Sequence, residues 1–268
     1  MFTIIGSTGF VGQHLIEYLK KKKVDYFAPT RDDPALFSKP LGHIIYCAGL
    51  TADFRTQLLQ TVEAHVCLLK RIIQLSDFQS LLYLSSTRVY QRGSSGEEET
   101  LISATPHDPS DIYNLSKLLG ESLCLSAAPH KKMRVVRLSN VYGPRMGRDN
   151  FLASIIEEAL KGKIILKSSL ESTKDYVYIH DIVPILVAIA ERGENRLYNL
   201  ASGYNVTNEK IVSQLASFTR CKIIADLNSK PGLFPKINIE KIRNEFGFSP
   251  SKLEENLPSL VTSIRQKI

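Results

Sequence analysis

A short apolar run, Phe2-Thr-Ile-Ile5, breaks into Gly6-Ser-Thr-Gly9-Phe-Val-Gly12. An amphipathic segment follows at once, with Phe10, Val11, Leu15, Ile16 and Leu19 on its apolar side. The order is strand, glycine turn, helix. Glycines three apart in that place each have a physical use. The first permits the tight turn, the second lets a ligand approach the backbone, and the third lets helix and strand pack closely. The unpaired N–H groups at the helix start then face the turn, and a pyrophosphate suits them. The sequence therefore predicts dinucleotide binding by Gly6, Ser7, Thr8, Gly9, Phe10, Val11 and Gly12. A merely structural tight turn is the alternative.

Strand-like and helical stretches alternate from there. Residues 24–28 read as a second strand that runs into Pro29-Thr30-Arg31-Asp32-Asp33. An acid at this strand end would hold ribose hydroxyls. Arg31 stands there instead and suits a 2′-phosphate, which favours NADP, while Asp32 keeps NAD open. Residues 43–50 form a buried strand ending in Cys47, Ala48 and Gly49, small enough for a cofactor to pass over. A helix over roughly 56–75 follows, in which His65 reads as a packing or surface residue. The next buried strand, 80–84, leads into Ser85-Ser86-Thr87-Arg88-Val89-Tyr90. Hydroxyls at the carboxyl end of a parallel strand lie on the ligand side of the sheet. In the polar loop 91–105, Glu97, Glu98 and Glu99 read as solvated.

The helix predicted over 111–126 carries Tyr113 and Lys117, four apart and so on one face. An unperturbed tyrosine titrates near ~10, and a nearby ammonium favours its ionised form. The product is an acid/base group for a hydroxyl or carbonyl. Tyr18 and Lys22 repeat the spacing inside the run Lys20 to Lys23 and read as a solvated helix end.

A strand at 133–138 ends in Ser139-Asn140-Val-Tyr-Gly143-Pro144. Beyond it the alternation loosens into a helix (150–161), strands (164–166, 175–179), a helix (183–190) and a last short strand (196–200). Two further helices and the turn Lys230-Pro-Gly232 complete the chain. The expected fold is α/β, a doubly wound parallel sheet of the Rossmann type with a small C-terminal α+β substrate lobe. Residues 1–145 form the dinucleotide-binding domain, with 181–203 returning to it; 146–180 and 204–268 form the lobe.

Net charge is +7, but the dense lysine run closes a helix, so nucleic acid is not an expected partner. No apolar stretch reaches the ~20 residues that span a bilayer, and no signal peptide is evident. Cys47, Cys67, Cys124 and Cys221 are scattered, which suggests reduced thiols in a cytoplasmic protein and no metal site.

The chain resembles the extended short-chain dehydrogenase/reductases, the NAD-dependent epimerase/dehydratase group that modifies nucleotide-sugars. The resemblance lies in Gly6–Gly12, Cys47-Ala-Gly-Leu50, Ser85-Ser-Thr-Arg-Val-Tyr90, Tyr113-Asn-Leu-Ser-Lys117 and Arg137-Leu-Ser-Asn-Val-Tyr-Gly-Pro144. Lys174-Asp-Tyr-Val-Tyr-Ile-His-Asp181 and Tyr198-Asn-Leu-Ala-Ser-Gly203 match more weakly. It implies Tyr113 as acid/base, Lys117 on the nicotinamide ribose, and Ser86 as the hydroxyl that hydrogen-bonds the reacting oxygen. It implies Thr87 and Arg88 beside the substrate, and Asn140 and Lys174 on the sugar diphosphate. Lys174 replaces the usual arginine, a point charge in place of a fork. Thr87 and Arg88 replace the Asp-Glu pair of the 4,6-dehydratases, which disfavours dehydration. His65 stands where an asparagine is common. The leading expectation is reduction of a keto-sugar; a nucleotide-sugar epimerase with tightly held NAD comes next, then a dinucleotide-binding sensor or scaffold without turnover. A homodimer through the helices near 56–75 and 111–126 is expected by analogy.

Overall fold

Every residue of β1 (Phe2–Ile5) is buried, as in a strand flanked by others on both sides. The computed structural model describes residues 1–50, 54–126, 132–226 and 228–266. From β1 the chain passes through α1 (Phe10–Lys21) to β2 (Tyr26–Phe27) and then to β3 (His43–Tyr46). Next come α2 (Leu58–Val62), a π-helical turn (Glu63–Cys67) and α3 (Leu68–Leu75). β4 (Ser80–Ser86), α4 (Asp111–Ser126) and β5 (Lys132–Leu138) follow. Then come β6 (Asn140–Tyr142), α5 (Phe151–Leu160), β7 (Lys163–Leu166), β8 (Thr173–Tyr178), α6 (Ile179–Arg192) and β9 (Leu197–Leu200). The chain closes with β10 (Asn205–Thr207), α7 (Asn208–Thr219), β11 (Lys222–Ala225), α8 (Glu240–Phe246) and α9 (Leu253–Arg265).

Six parallel strands form the main sheet in the order β2-β1-β3-β4-β5-β9. Successive residues point to opposite faces. Ile4, Ile45 and Leu82 pack with Leu15 and Leu19 of α1 and Ile182 and Leu186 of α6. Their neighbours Ile5, Ile44 and Leu81 pack with Leu68, Leu69 and Ile72 of α3 and Cys124 of α4. Both faces are covered, which is why the strands read as continuous apolar runs. The winding reverses between β1 and β3, so their carboxyl ends leave a crevice where ligands bind in sheets of this kind. This is the Rossmann-type architecture the alternation predicts.

A separate apolar cluster joins Tyr142, Leu152, Ile156, Ile164, Ile211, Leu215, Leu257 and Leu260. It underlies a three-stranded sheet, β10-β8-β6, and the pair β11-β7. Ile242 of α8 and Phe248 pack instead on the main-sheet cluster.

Four local expectations are corrected. The strand at 24–28 shrinks to Tyr26–Phe27, because Val24 N–H still donates to Leu19 O at the end of α1 and Lys23 is left-handed (φ 55). The helix at 56–75 begins at Leu58 and contains the π turn. The strand at 196–200 is not the last: β10 and β11 follow, with three helices rather than two. Both strands are short, and β11 is largely exposed, so neither carries a strong apolar pattern. Glu98 is not solvated: it is 4% exposed and accepts Asn199 N–H at 3.1 Å. Glu99 pairs with Lys241, and Glu97 accepts from the Asn238 amide. Among the described residues no helix is long and apolar enough to cross a membrane, and no three metal-ligating side chains cluster. All four cysteines are free thiols.

Candidate active site

The glycine turn is built by close approach. Gly6 is left-handed (φ 86), and a Cβ there would lie 2.6 Å from Ala48 N. A Cβ on Gly12 would lie 2.3 Å from Gly6 O. The first and third glycines thus let β1, the end of β3 and the start of α1 meet. Gly9 has room, its nearest neighbour being Gly6 O at 3.4 Å, and it is the N-cap of α1. No side chain caps this helix and its first turn holds no acid, so its leading N–H groups are free for an anion. The Gln13 amide donates to Thr8 O at 2.7 Å and holds Ser7 and Thr8 in the turn. Arg31 lies exposed in the turn after β2. Cys47, Ala48 and Gly49 continue β3 beneath the same edge.

α4 carries the acid/base candidates, and buried polar contacts fix it at both ends. Asp111 is fully buried at its first residue and accepts from Thr105 N (2.7 Å), Arg92 Nε (2.8 Å) and Asn114 Nδ2 (2.8 Å). Glu121, 3% exposed, is bonded by Arg137 through Nη2 at 2.6 Å and Nε at 3.0 Å, and accepts from Ser85 Oγ at 2.5 Å. Arg137 Nη1 donates further to Tyr90 Oη and Glu98 O. The helix is thereby fastened to β4 and β5.

Tyr113 and Lys117 lie on the fixed face between these anchors. Lys117 is 5% exposed and donates to Leu84 O at 2.9 Å. Burial pulls its pKa down to about 8, against the opposing pull of Cys47 and Glu121. Burial pushes the Tyr113 phenol up, while the Ser86 hydroxyl beside it and the Arg88 charge favour the ionised form. Two cations flank the ring at similar distances, the Arg88 guanidinium at 6.0 Å from its centroid and the Lys117 ammonium at 5.9 Å, the latter also bonded to Leu84 O. Ser86 is the last residue of β4 and caps the following turn, accepting Arg88 N–H at 3.2 Å.

His65 is the residue the sequence understates. It is fully buried in the π turn, and its ring meets Tyr113 edge-on at 5.3 Å. Ser116 Oγ donates to Tyr113 O at 3.0 Å, and that hydroxyl also lies 2.8 Å from His65 Nδ1. Bonding Nδ1 to Ser116 leaves Nε2 as the ring nitrogen that faces the site. Burial and the Lys117 charge hold the pKa down at about 2, so the ring is neutral. Nε2 is buried without a partner, and a Cβ on Gly49 would lie 2.8 Å from it and 3.4 Å from Lys117 Nζ. An orphaned ring nitrogen, an ammonium and a glycine thus adjoin at the end of β3. These features fit a hydroxyl-bearing ligand such as a cofactor ribose.

On the other side stand Arg88, Asn140 and Lys174. Asp175 is 1% exposed and accepts from Ser139 Oγ (2.5 Å), Ser202 N (2.9 Å), Ser202 Oγ (2.8 Å) and Gly203 N (2.8 Å). It ties β8 to the turns after β5 and β9. Asn140 Nδ2 donates to Asp175 O at 2.8 Å, and Lys174 Nζ sits 4.8 Å from the Phe151 ring. Thr87, which follows Ser86 in the turn after β4, is 3% exposed, about as buried as Tyr113. Phe54 and Arg55, absent from the sequence-based set, pack here: Phe54 meets Tyr113 at 5.1 Å, and the Arg55 guanidinium covers Phe54 at 4.6 Å.

Comparison with known proteins gives the same frame. At 25% identity the chain resembles the dTDP-4-dehydro-6-deoxyglucose reductase of Escherichia coli, over 78% of this chain and 68% of the relative. It is 26% identical to the UDP-glucose 4-epimerase of Vibrio cholerae over 80% and 74%. It is also 26% identical to the dTDP-glucose 4,6-dehydratase of Streptomyces griseus over 64% of this chain and 54% of that one. Among solved structures, MoeE5 in complex with UDP-glucose and NAD superposes with a TM-score of 0.84 at 20% identity, covering 99% of both chains. RMD from Pseudomonas aeruginosa complexed with NADPH gives 0.83 at 19%, over 100% and 99%. A profile described as the NAD dependent epimerase/dehydratase family matches residues 2–201, so the chain belongs to that family of nucleotide-sugar enzymes.

Proposed function

We propose that this protein is an NAD(P)-dependent oxidoreductase that reduces a keto group on a nucleotide-sugar, with Tyr113 as the acid. The observation that carries this reading is the meeting of Ser86, Tyr113 and Lys117 beside Gly49. Residues 6–12 would hold the pyrophosphate, and Lys117 and His65 Nε2 the nicotinamide ribose. The bound cofactor would supply the hydride. Ser86 donates to the substrate oxygen and holds it against the phenol. Tyr113, pushed up by burial, stays protonated at neutral pH, the state in which it can give its proton to the oxygen of a ketone being reduced. Asn140, bonded to Asp175 O, and Lys174, beside the Phe151 ring, would face the diphosphate. Arg31 favours NADP through a 2′-phosphate. We assign residues 1–145 with 181–203 to the cofactor and 146–180 with 204–268 to a substrate lobe, of which α8 and Phe248 pack back on the main sheet.

The test is to add NADPH or NADH to keto nucleotide-sugars and follow the reduced-nicotinamide absorbance. Stoichiometric oxidation supports a reductase; an isomerised sugar with cofactor retained makes the protein an epimerase, the second reading of the same site. Tyr113→Phe should lower turnover by about 10²–10⁴-fold with little change in cofactor affinity. No turnover in the wild type across such a panel would leave a dinucleotide-binding sensor or scaffold. Leu58 (45% exposed), Leu59 (81%), Leu75 (57%) and Leu119 (51%) project from α2, α3 and α4 and support a homodimer across these helices, which sedimentation would check. Four unpaired thiols fit the cytoplasm.

A further inference from the structure

Arg88 is a cation pressed against the candidate active site without an anion. Its Nε is buried and has no hydrogen-bond partner. Its guanidinium lies 6.0 Å from the Tyr113 ring centroid and 5.3 Å from that of Phe54. The charges around it are mostly of its own sign. Arg55 shares the Phe54 ring, and the Arg88 charge also lowers the pKa of Lys174. Among the described residues, none of Arg55, Arg88 and Lys174 forms an ion pair. The carboxylates that reach Arg88 electrostatically, Asp111 and Asp108, are both engaged by Arg92.

Bringing like charges together at a half-buried site is unfavourable unless something of opposite sign arrives. The place of Arg88 says where that anion sits. Its backbone N–H donates to Ser86 Oγ, and its guanidinium lies beside the Tyr113 ring, so it stands next to the two groups that face the reacting oxygen. The diphosphate leaves a sugar from its anomeric carbon, and Lys174 on β8 is a separate cation for it. A planar fork with a free edge is suited to a carboxylate.

We infer that Arg88 recognises a carboxylate borne by the sugar ring itself, so that the preferred substrates are nucleotide-linked uronic acids rather than neutral hexoses. This rests on the nucleotide-sugar reading above and narrows it.

The experiment measures binding calorimetrically to the full-length, cofactor-saturated protein. The ligands are UDP-glucose, UDP-glucuronate and their thymidine counterparts, pairs that differ only in a hydroxymethyl against a carboxylate. The wild type should bind a uronate about tenfold or more tightly than its neutral partner, the scale of a lost charge-assisted hydrogen bond. Arg88→Gln should bring that ratio near one, and Arg88→Lys should keep part of it; a preserved cofactor-induced rise in melting temperature shows that each variant is folded. Equal binding of both sugars by the wild type overturns the inference and leaves the nucleotide-sugar reading intact. So does equal weakening of both by Arg88→Gln, which would assign Arg88 to the diphosphate. Binding of none of the four overturns the nucleotide-sugar reading, and this inference with it.

Discussion

Arg137 and Arg88 are set against the same helix, α4, and the fold treats them oppositely. Arg137 is 4% exposed, and Glu121, Tyr90 and the Glu98 carbonyl take up its Nε, Nη1 and Nη2. Its pKa is driven up by Glu121 and Tyr90 despite burial. Arg88 has a buried Nε with no partner, and burial drives its pKa down. Lys117 is the middle case, with one bond to Leu84 O and a pKa of about 8. A cation that holds the fold together has its donors used; one kept for a ligand has them spare. The contrast separates the residues that position the site from those that would act in it.

The largest test of it is Arg137→Met. It leaves the Glu121 carboxylate buried and unpaired, which should cost about 3–5 kcal/mol in urea unfolding. Lys117 supplies the next. Its folded pKa of about 8 lies below the ordinary 10.5, so the unfolded chain binds more protons across that interval. Stability therefore rises with pH between those values, and the penalty is present in full below pH 8. Measured as the difference from Lys117→Met, the effect should be about 3 kcal/mol. Replacing both ends of the saturated pair, Arg137→Met with Glu121→Leu, should recover most of the single-variant loss, to within roughly 1–2 kcal/mol of wild type. The smallest effect belongs to Arg88→Met. Stability should stay within about 0.5 kcal/mol or rise, because among the described residues the head group makes no hydrogen bond or ion pair to lose and the methionine can still pack on the Phe54 and Tyr113 rings. A loss as large as that of Arg137→Met would erase the distinction.

The cofactor side was readable in the sequence, and the reason is physical. Gly6 and Gly12 are demanded by backbone contacts at 2.6 and 2.3 Å, and a demand for no side chain shows in a one-letter string. The parallel sheet was readable because both its faces are covered, which leaves uninterrupted apolar runs. Arg88 was placed beside the substrate by its neighbours in sequence, but its want of a partner depends on Arg92, nineteen residues from Asp111, having claimed the nearby acids. Glu98 looked like its solvated neighbours because its partner, Asn199, lies 101 residues away. His65 was underrated for a different reason: helical spacing puts it on the buried face with Thr61, Leu68 and Ile72, but the groups it meets, Tyr113 and Ser116, lie about fifty residues further along the chain.

That turn has a consequence for how the chain can change. A π turn holds one residue more than an α turn, so side chains beyond it are rotated by about 100° from where a regular helix would put them. Leu68, Leu69 and Ile72 are buried in that rotated frame. Removing a single residue between Glu63 and Cys67 would let the helix wind regularly with Leu68, Leu69 and Ile72 still on the sheet, because the lost residue cancels the rotation; what shifts is the turn itself, and with it His65 beside Tyr113. A one-residue deletion in this turn should therefore leave the protein folded, whereas the same deletion inside α3, which has no residue to spare, would turn part of its apolar stripe off the sheet.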